Sequence, residues 1–488
     1  MIQTHPRRAG ICALLLLALC AGTAPAEEAS PDTEPAFFAG NEELRGYLLE
    51  AVENHPLLKA HYEDWLAAME RIPQAGALED TEFTYTQFLR SSESYFMVAL
   101  MQKFPWFGTR RVRKEKAMAD AEYWLAHLHE QRNAVFREVK SAYFKYANLG
   151  DRLAIMGGQI SLMKESAEIA ASRYASGWSP QNEVLRTEIE LARMNDMLRE
   201  LEQMEPVRRA ALNAALGRPQ DGALPFPAST AFPDEPPAAD TLGPILLASN
   251  PSLRMFDHTV EAEEKEVELA RRMGRPDITV GIDYLRNRDE RPEPNNPYAP
   301  GKLQTYRMLG GIAGGAEMLD AAAALDIYDT FLYEDPRRDP QDEISVSIGV
   351  NLPIWRKRIK AGVLEKQHMV AATQRHKQDE LRKMESMARE ARFMWDDATR
   401  RMALYADELL VKEDVALEGL RAGYAAGDEE ITLMTLLESM RNLMQFQLEF
   451  LDALHDKHQA ATDLEYLLGA PWSSTEIAAE ATPVPTAH

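Results

Sequence analysis

Three acidic residues in a row stand between two long segments with helical periodicity. Asp428, Glu429 and Glu430 directly follow Gly427, and glycine is the residue type that most often ends an α-helix. Carboxylates crowded at such a turn attract cations and repel anions, above all where several copies of the turn meet around an axis. The same carboxylates could instead complement the dipole of the following helix, at about 0.3–1 kcal/mol each. The sequence leaves both roles open, and the two are compatible.

Other residue types that support chemistry are scarce or unsuitably spaced. His127 and His129 fall on different faces of a helix, while His455 and His458 can share a face but lack a third ligand nearby. The 22 methionines are dispersed at core spacing. No hydrolytic triad, paired-acid site or phosphate-binding loop stands out. The sequence therefore predicts no enzymatic activity, no cofactor and no dedicated metal site.

The first 26 residues predict a secretory signal peptide, with a basic pair, a short apolar stretch and a small-residue cleavage site. Both cysteines, Cys12 and Cys20, lie within it, so the mature chain is expected to have no thiol. Cys20 could carry a lipid, although the leucine before it favours simple cleavage. Loss of the two arginines changes the formal charge from −23 to −25, which argues against nucleic acid as a partner.

The acidic turn belongs to a unit that occurs twice in the chain. Corresponding landmarks appear in the same order, namely Pro56 and Pro251, Pro105 and Pro353, Gly177 and Gly427, and Gly217 and Gly469. A period of roughly 200–250 residues indicates a duplicated domain-sized unit and not a solenoid repeat. The predicted boundaries are a first repeat over 27–217, a proline-rich connector over 218–241, a second repeat over 242–469 and a disordered tail over 470–488.

Each repeat predicts two β-strands followed by a very long helix. The strands are expected at about 82–89, 94–104, 277–286 and 343–352, with clear apolar–polar alternation in the second pair. About ten alternating residues suffice for a tilted strand to cross an outer membrane. A segment rich in proline and glycine, 287–342, separates the second pair and is expected at the outer rim. Each long helix has about 70 residues and would reach about 100 Å.

The number of strands has a consequence for assembly. Four strands are too few for a closed barrel, which needs about eight. Lipid does not tolerate open strand edges, so strands that cross a membrane require several copies of the chain. Three copies with twelve strands are the simplest hollow solution. A soluble sandwich would also show alternating strands, but a second sheet would have to cover its apolar face.

Aromatic and basic residues follow each strand pair, as is typical of a membrane–water interface. The candidate anchors are Trp106, Arg110, Arg111, Trp355, Arg356, Lys357 and Arg358. If the strand phase is right, Asp277 and Asp283 face the lumen of the barrel.

Together these landmarks resemble the TolC-type outer-membrane efflux proteins, over about residues 44–469. The matching segments are 104–108, 173–177, 212–219, 351–355 and 425–427. The resemblance implies a mainly α-helical chain with a membrane β-barrel, closing as a homotrimer with a twelve-stranded barrel and a periplasmic α-helical tunnel. It also implies that the helical tips dock onto a periplasmic adaptor (membrane fusion) protein and an inner-membrane pump, expected to be of the RND type.

The resemblance further suggests where the gate lies and what passes through it. The residues matched to closure and adaptor docking are Tyr174, Gly177, Tyr424 and Gly427, beside Asp428, Glu429 and Glu430. The tryptophan junction is most similar to the heavy-metal branch, associated with cobalt, zinc, cadmium or copper. The prediction is a passive outer-membrane exit duct for metal cations. The alternatives are the same duct for drugs or type I protein secretion and, from another class, a periplasmic coiled-coil adaptor or scaffold.

Overall fold

The computed structural model describes residues 42–89, 94–227, 235–287, 342–428 and 430–470. The first repeat contains α1 (Glu42–Asn54), α2 (Pro56–Gly76), β1 (Glu82–Gln87), β2 (Ser94–Phe104), α3 (Thr109–Ala175) and α4 (Gln181–Ala215). The second contains α5 (Leu242–Ser249), α6 (Pro251–Arg272), β3 (Ile278–Asn287), β4 (Glu343–Val350), α7 (Arg356–Ala403), a π turn (Leu404–Leu409), α8 (Leu410–Ala426) and α9 (Leu433–Leu468).

Several predictions concern residues outside these described ranges. They are the signal peptide with both cysteines, nearly all of the 287–342 segment, the tail beyond residue 470 and Glu429. The strands begin and end within about two residues of the predicted positions.

The four strands form one antiparallel sheet in the order β1-β2-β3-β4. The two repeats therefore meet through the β2–β3 pair, in which Val98 lies opposite Tyr284 and Leu100 opposite Ile282. In the next pair Ile282 lies opposite Val346. Because side chains alternate along each strand, this register places most of the apolar residues of the described strands on one face. The other face carries mainly small and polar side chains, together with Met97, Met101 and Leu285.

The helices continue the sheet. Next to the sheet they lie in the order α2-α3-α6-α7. Towards the far end of α3 the main contacts run α4-α3-α9-α8, and side chains of α4 and α8 also meet at the tips. Of the described helices, none is long and apolar enough to cross a membrane.

Repeated glycine caps end the helices that precede each turn. Gly177, Gly217, Gly427 and Gly469 all have positive φ angles, between 73° and 86°. At Gly177 the next residue, Trp178, donates its backbone N–H to the carbonyl of Arg173 at 2.8 Å, which satisfies an otherwise unpaired helix terminus. The equivalent bond at Gly427 runs from Asp428 to Gly423 at 3.1 Å.

Three apolar clusters stabilise this frame. One surrounds Tyr143 and Tyr146 in the first repeat, and a second surrounds Trp395 and Leu464 in the other repeat. The third lies towards the helical tips and contains residues of both repeats, among them Met156, Leu417, Tyr424 and Leu433.

The second long helix differs from the prediction of one regular helix over 356–426. The π turn interrupts it, and at the end of this turn the N–H of Leu410 bonds to the carbonyl of Tyr405, five residues earlier. The corresponding helix of the first repeat, α3, is α-helical throughout its 67 residues.

Candidate gate at the helical tips and candidate membrane junction

The tips of the two helical hairpins contact each other. A Cβ atom added at Gly427 would lie 3.4 Å from the ring of Trp178, so this indole packs against the glycine of the other repeat. Tyr424 lies one turn before Gly427 and is 1% exposed. Its hydroxyl donates a hydrogen bond of 2.8 Å to the carboxylate of Glu183 at the start of α4.

Arg173 completes this contact from the end of α3. Its guanidinium carbon lies 4.4 Å from the centre of the Tyr424 ring, within cation–π range, and its Nη1 donates to the Tyr424 backbone carbonyl. Burial, together with the hydrogen bond to Glu183, raises the pKa of Tyr424 above its usual range. The phenol therefore stays neutral and remains a donor. Arg173, Tyr424 and Glu183, here called the tip latch, join α3, α8 and α4.

Two further ion pairs tie the repeats together behind the tip latch. Arg441 on α9 makes a bidentate contact with Glu190 on α4, at 2.9 and 2.7 Å. The hydrogen bond from Arg441 lowers the pKa of Glu190, whose side chain is 8% exposed. Arg421 on α8 reaches Glu165 on α3 at 2.6 Å in a more exposed setting.

The acidic loop between α8 and α9 has its own local structure. The Asp428 carboxylate accepts a 3.0 Å hydrogen bond from the backbone N–H of Glu430, and both side chains are exposed. The hydroxyl of Thr432 caps α9 by accepting the N–H of Thr435 at 3.3 Å, and the first turn of α9 contains no acidic residue. Thr432 therefore caps α9, and the carboxylates of Asp428 and Glu430 are exposed to solvent.

The predicted tip residues are brought together, but they are not equivalent. Tyr174 is 46% exposed, whereas its counterpart Tyr424 is buried. Sequence reasoning assigned no contact to Glu183 or Trp178 and no partner to Arg173. Arg173 and Tyr424 lie 251 residues apart in sequence, so neither their cation–π contact nor the acceptor on α4 has a local signal.

Asp277 lies at the first membrane junction, one residue before β3. Its carboxylate accepts the backbone N–H of Trp106 at 3.2 Å and lies 3.6 Å from the Lys103 ammonium group. The half-buried Trp106 ring faces the Arg275 guanidinium at 5.8 Å. Asp277 therefore fixes the strand-to-helix switch in addition to any role in a lumen.

Arg110 has a partner inside the same junction, because its Nε and Nη2 donate to the Gly76 carbonyl at 2.9 and 2.7 Å. Arg111 is exposed and lies 3.3 Å from Glu115. The aromatic residue exposed at this junction is Phe107, at 79%, which sequence reasoning did not name as an anchor.

The second junction is more open than the first. Trp355 is 69% exposed, next to the exposed Leu352 and Ile354. The basic run Arg356, Lys357 and Arg358 is also exposed.

Asp283 lies on the polar face of the sheet, beside Ser345, whose Oγ is 3.5 Å from the Asp283 carboxylate. The opposite face is apolar and largely uncovered. Its exposed members include Phe83, Tyr85, Leu100, Ile282, Ile344, Val346 and Ile348.

His458, one of the histidines considered as a metal ligand, serves packing. His458 is 4% exposed and stacks on the Phe144 ring at 4.0 Å, and burial lowers its pKa to about 3. Burial likewise lowers the pKa of His129 to about 4. No group of three or more histidine, cysteine or acidic side chains among the described residues is placed to hold a metal ion.

Residues 74–218 match the family of outer membrane efflux proteins. No curated protein matches the sequence significantly. The fold is similar to that of the outer-membrane channel OprN, with 14% identity, 89% of this chain and 91% of that chain covered, and a TM-score of 0.67. VceC of Vibrio cholerae is 15% identical, with 88% of this chain and 97% of that chain covered and a TM-score of 0.66. The open state of MtrE of Neisseria gonorrhoeae is 15% identical, with 88% of this chain and 89% of that chain covered and a TM-score of 0.65.

These matches are to channel proteins and not to enzymes. At such low identity the solved structures establish the fold, while the family match comes from the sequence itself. They confirm the resemblance predicted above, in sequence over residues 74–218 and in fold over most of the chain. Residues 74–218 form an outer membrane efflux protein domain, within a chain that has the fold of the TolC-type outer-membrane channels.

Proposed function

We propose that three copies of this chain form the passive exit duct of an efflux pump, with a twelve-stranded barrel in the outer membrane and a helical tunnel in the periplasm. The observation that carries the proposal is the uncovered apolar face of the sheet. Val346 and Ile348 on this face are 68% and 71% exposed. Lipid is the environment in which such a face is stable, since no second sheet among the described residues covers it.

The open edges of the sheet and exposed apolar faces of the helices support closure by self-association. β1 and β4 each have one strand neighbour within the described chain. The helices α4 and α8 meet at the tip latch but still expose apolar side chains, Leu185 and Ile189 on α4 and Val411 and Val415 on α8. When one edge of a copy meets the opposite edge of the next copy, the contact is heterologous. Such contacts generate a ring if the rotation from copy to copy closes on itself.

The tip latch is proposed to hold the periplasmic entrance closed. Tyr174, Gly177, Tyr424 and Gly427 shape the two tips, and Asp428, Glu429 and Glu430 would bring nine carboxylates together in a trimer. Such a ring favours cations. The partners proposed at these tips are a periplasmic adaptor and an inner-membrane pump of the RND type.

The junction residues are proposed to anchor the barrel at the periplasmic membrane surface. Exposed aromatic and basic side chains suit the headgroup region. The proposed set is Trp106, Phe107, Arg110, Arg111, Trp355, Arg356, Lys357 and Arg358. Asp283, with Asp277 at the junction, would line the lumen, because the polar face of the sheet must turn inward if the apolar face meets lipid.

The membrane assignment is tested by charging either face of β4. Val346→Arg places a guanidinium on the apolar face, where it is expected to cost about 2–4 kcal/mol near the middle of a bilayer. Ser345→Arg, the matched control, places the same group on the polar face. We expect trimers in the outer-membrane fraction for the wild type and Ser345→Arg and their loss for Val346→Arg. Wild-type protein in the soluble or inner-membrane fraction would instead support a periplasmic scaffold.

The cargo is proposed to be metal cations, on the strength of the acidic loop and the tryptophan junction. Growth of a deletion strain on metal ions and on lipophilic drugs distinguishes the alternatives. Sensitivity confined to metals, restored by the wild type and poorly by an Asp428→Asn, Glu430→Gln variant, is the expected outcome. Drug sensitivity with normal metal tolerance would refute the metal assignment and leave the duct intact. A defect in protein export alone would favour type I secretion.

A further inference from the structure

The helices α2 and α7 lie at the two ends of the order α2-α3-α6-α7 next to the sheet. The lysines that α7 turns towards its neighbour α6 have partners on that helix. Lys366 pairs with Glu266, and Lys377 pairs with Asp257. The charges on this face of α7 are therefore neutralised within the chain.

The opposite face of α7 carries a stripe of arginines. Arg375, Arg382 and Arg389 stand at heptad spacing, close to two helical turns, so their side chains project from the same side. At about 100° per residue, this side is roughly opposite to the two paired lysines. All three are exposed, and none forms an ion pair within the described ranges, although Arg375 donates a hydrogen bond of 3.3 Å to Gln378. The arginine stripe is thus charge that the chain itself does not neutralise.

The free face of α2 carries the opposite charge. This helix packs on α3 through the buried Ala68 and through His61, whose ring lies 4.8 Å from that of His127. Glu63 and Glu70, again at heptad spacing, lie roughly opposite to this packed side. Both are exposed, and neither forms an ion pair with another described residue. They are called the acidic stripe.

A chain of contacts relates the two helices to one level in the molecule. A Cβ atom at Gly76, the last residue of α2, would lie 3.7 Å from the Lys114 side chain on α3. Lys116, on the next part of α3, lies 3.2 Å from Glu266, which also pairs with Lys366. The end of α2 and Lys366 on α7 are therefore at about the same distance from the sheet.

The two stripes extend over similar distances from this level. At about 1.5 Å per residue, Glu70 and Glu63 lie roughly 9 and 20 Å away from it, and Arg375 and Arg382 roughly 14 and 24 Å. The offsets of roughly 5 Å are within the reach of an extended arginine side chain. Two such helices placed side by side would bring each carboxylate near a guanidinium group.

Apolar side chains flank both stripes. Tyr62 and Met69, each one residue before a glutamate of the acidic stripe, are 47% and 42% exposed, and Leu364 on α7 is 43% exposed. A contact between the two faces would therefore bury apolar surface together with the charge pairs. Apolar burial supplies affinity, whereas complementary charges determine which surfaces meet.

Closure of a ring brings these two faces together. α2 leads into β1 and α7 follows β4, so a contact between the β1 edge of one copy and the β4 edge of the next also places α2 against α7. A two-fold contact would instead place carboxylates against carboxylates or guanidinium groups against each other. Because like charges that face each other are unfavourable, the stripes disfavour two-fold pairing.

We propose that the acidic stripe of one copy docks on the arginine stripe of the next, and that this charge pairing selects head-to-tail closure. The partner of each stripe is a second copy of this chain. The inference rests on the proposed duct and names the side chains that determine how its copies meet.

Cross-linking between introduced thiols is the first test. The mature chain is expected to have no cysteine, and α3 and α6 lie between α2 and α7 within one copy. In outer-membrane fractions treated with a short bismaleimide, a Glu70→Cys, Arg375→Cys variant should give covalently linked copies, up to trimers, on denaturing gels. Either substitution alone should give none, because like faces do not meet. No linked copies in the paired variant, or linked copies in either single variant, would overturn the inference.

Charge reversal is the second test. Glu63→Arg with Glu70→Arg makes both faces basic, and Arg375→Glu with Arg382→Glu makes both acidic. Each pair of substitutions should lower the trimer fraction about tenfold or more, measured by light scattering on the detergent-solubilised protein. All four substitutions together should restore it, which excludes misfolding as the cause of the loss. Glu122→Arg, at an exposed position of α3 between two neighbours of the same copy, is the control and should keep the trimer.

The outcomes separate this inference from the proposed function. Trimers that persist in both reversed variants, or that the fourfold variant fails to restore, would overturn the stripe contact and leave the duct. A wild type that forms a ring of another size, with the same loss and recovery, would refute the twelve-stranded duct and leave the stripe contact. A monomeric wild type would overturn both.

Discussion

The two hairpin tips have the same backbone caps but differ in what surrounds them. Gly177 and Gly427 both adopt left-handed conformations, with φ of 77° and 86°. Tyr174 before the first is exposed, whereas Tyr424 before the second is buried in contact with Arg173 and Glu183. The first hairpin thus supplies the acceptor and the cation, and the second supplies the side chain that they hold.

The two repeats share their backbone features and differ in their side-chain contacts at the tips. The strand-to-helix junctions and glycine caps recur because each defines backbone geometry that both repeats need. Among the described residues, the π turn and the buried tyrosine at the tip occur in the second repeat, as does the acidic sequence that follows Gly427. The two hairpins therefore contribute different side chains to the tip latch.

The largest expected difference between the tips follows from removing each tyrosine side chain. Tyr424→Ala leaves a cavity and two unpaired polar partners, so we expect a loss of about 3–5 kcal/mol in the free energy of unfolding. Tyr174→Ala should change it by less than about 1 kcal/mol, because that side chain is half exposed. Urea titration of the detergent-solubilised protein measures both. Equal losses would contradict the asymmetry.

A second comparison concerns caps at the tip and caps at the opposite end. A Cβ atom at Gly469 would lie 2.7 Å from Cδ of Pro251 and 2.8 Å from the Ser249 carbonyl, whereas at Gly177 nothing lies within 4 Å. Gly469→Ala should therefore cost about 3 kcal/mol, from the left-handed conformation and the displaced backbone together. Gly177→Ala should cost about 1–2 kcal/mol from conformation alone. Thermal unfolding of the two variants compares these losses. Similar melting temperatures for Gly469→Ala and Gly177→Ala would refute the close approach of the backbone at Gly469.

The two ion pairs between the repeats should also differ. Glu190→Gln weakens a bidentate contact with little exposure, and we expect a loss of about 1.5–3 kcal/mol. Glu165→Gln removes a more exposed pair worth less than about 1 kcal/mol. Urea titration at neutral pH compares them, and a larger loss for Glu165→Gln would show that the exposed pair is the important one.

The Glu190 pair should also depend on pH in a defined direction. Arg441 lowers the pKa of Glu190 from 4.5, so the folded state binds this proton less readily than the unfolded state. Its contribution is fully present above pH 4.5 and is lost as the pH falls through the lower folded value. The stability difference between the wild type and Glu190→Gln should therefore narrow on acidification. A difference that is constant with pH would indicate that packing, and not charge, is lost.

Much of the fold could be predicted because its signals are local. Alternating residues located β3 and β4 to within about two residues, and the glycines marked the helix ends. The π turn could not be predicted in the same way, since residues 404–409 have ordinary helical composition. The wide turn becomes visible only in the backbone hydrogen bonds, where the N–H of Leu410 bonds to the carbonyl of Tyr405.

The candidate site was predicted in outline and not in its contacts. The tip residues were located from their motifs, but the partners of Tyr424 were not, because Glu183 lies 241 residues away in sequence. Arg110 and Asp277 were expected to face lipid headgroups and a lumen. Their hydrogen bonds to Gly76 and to the Trp106 backbone depend on how α2, β3 and the junction meet.

Local patterns were sufficient to predict the described strands, the long helices and the glycine caps between them. These follow from periodicity and from residues with restricted backbones, which act over a few positions. The joining of the two strand pairs into one sheet is visible only in the folded chain, as is the burial of the tyrosine at one tip and the exposure of its counterpart at the other. Those outcomes depend on contacts between residues far apart in the chain, and no local pattern specifies them.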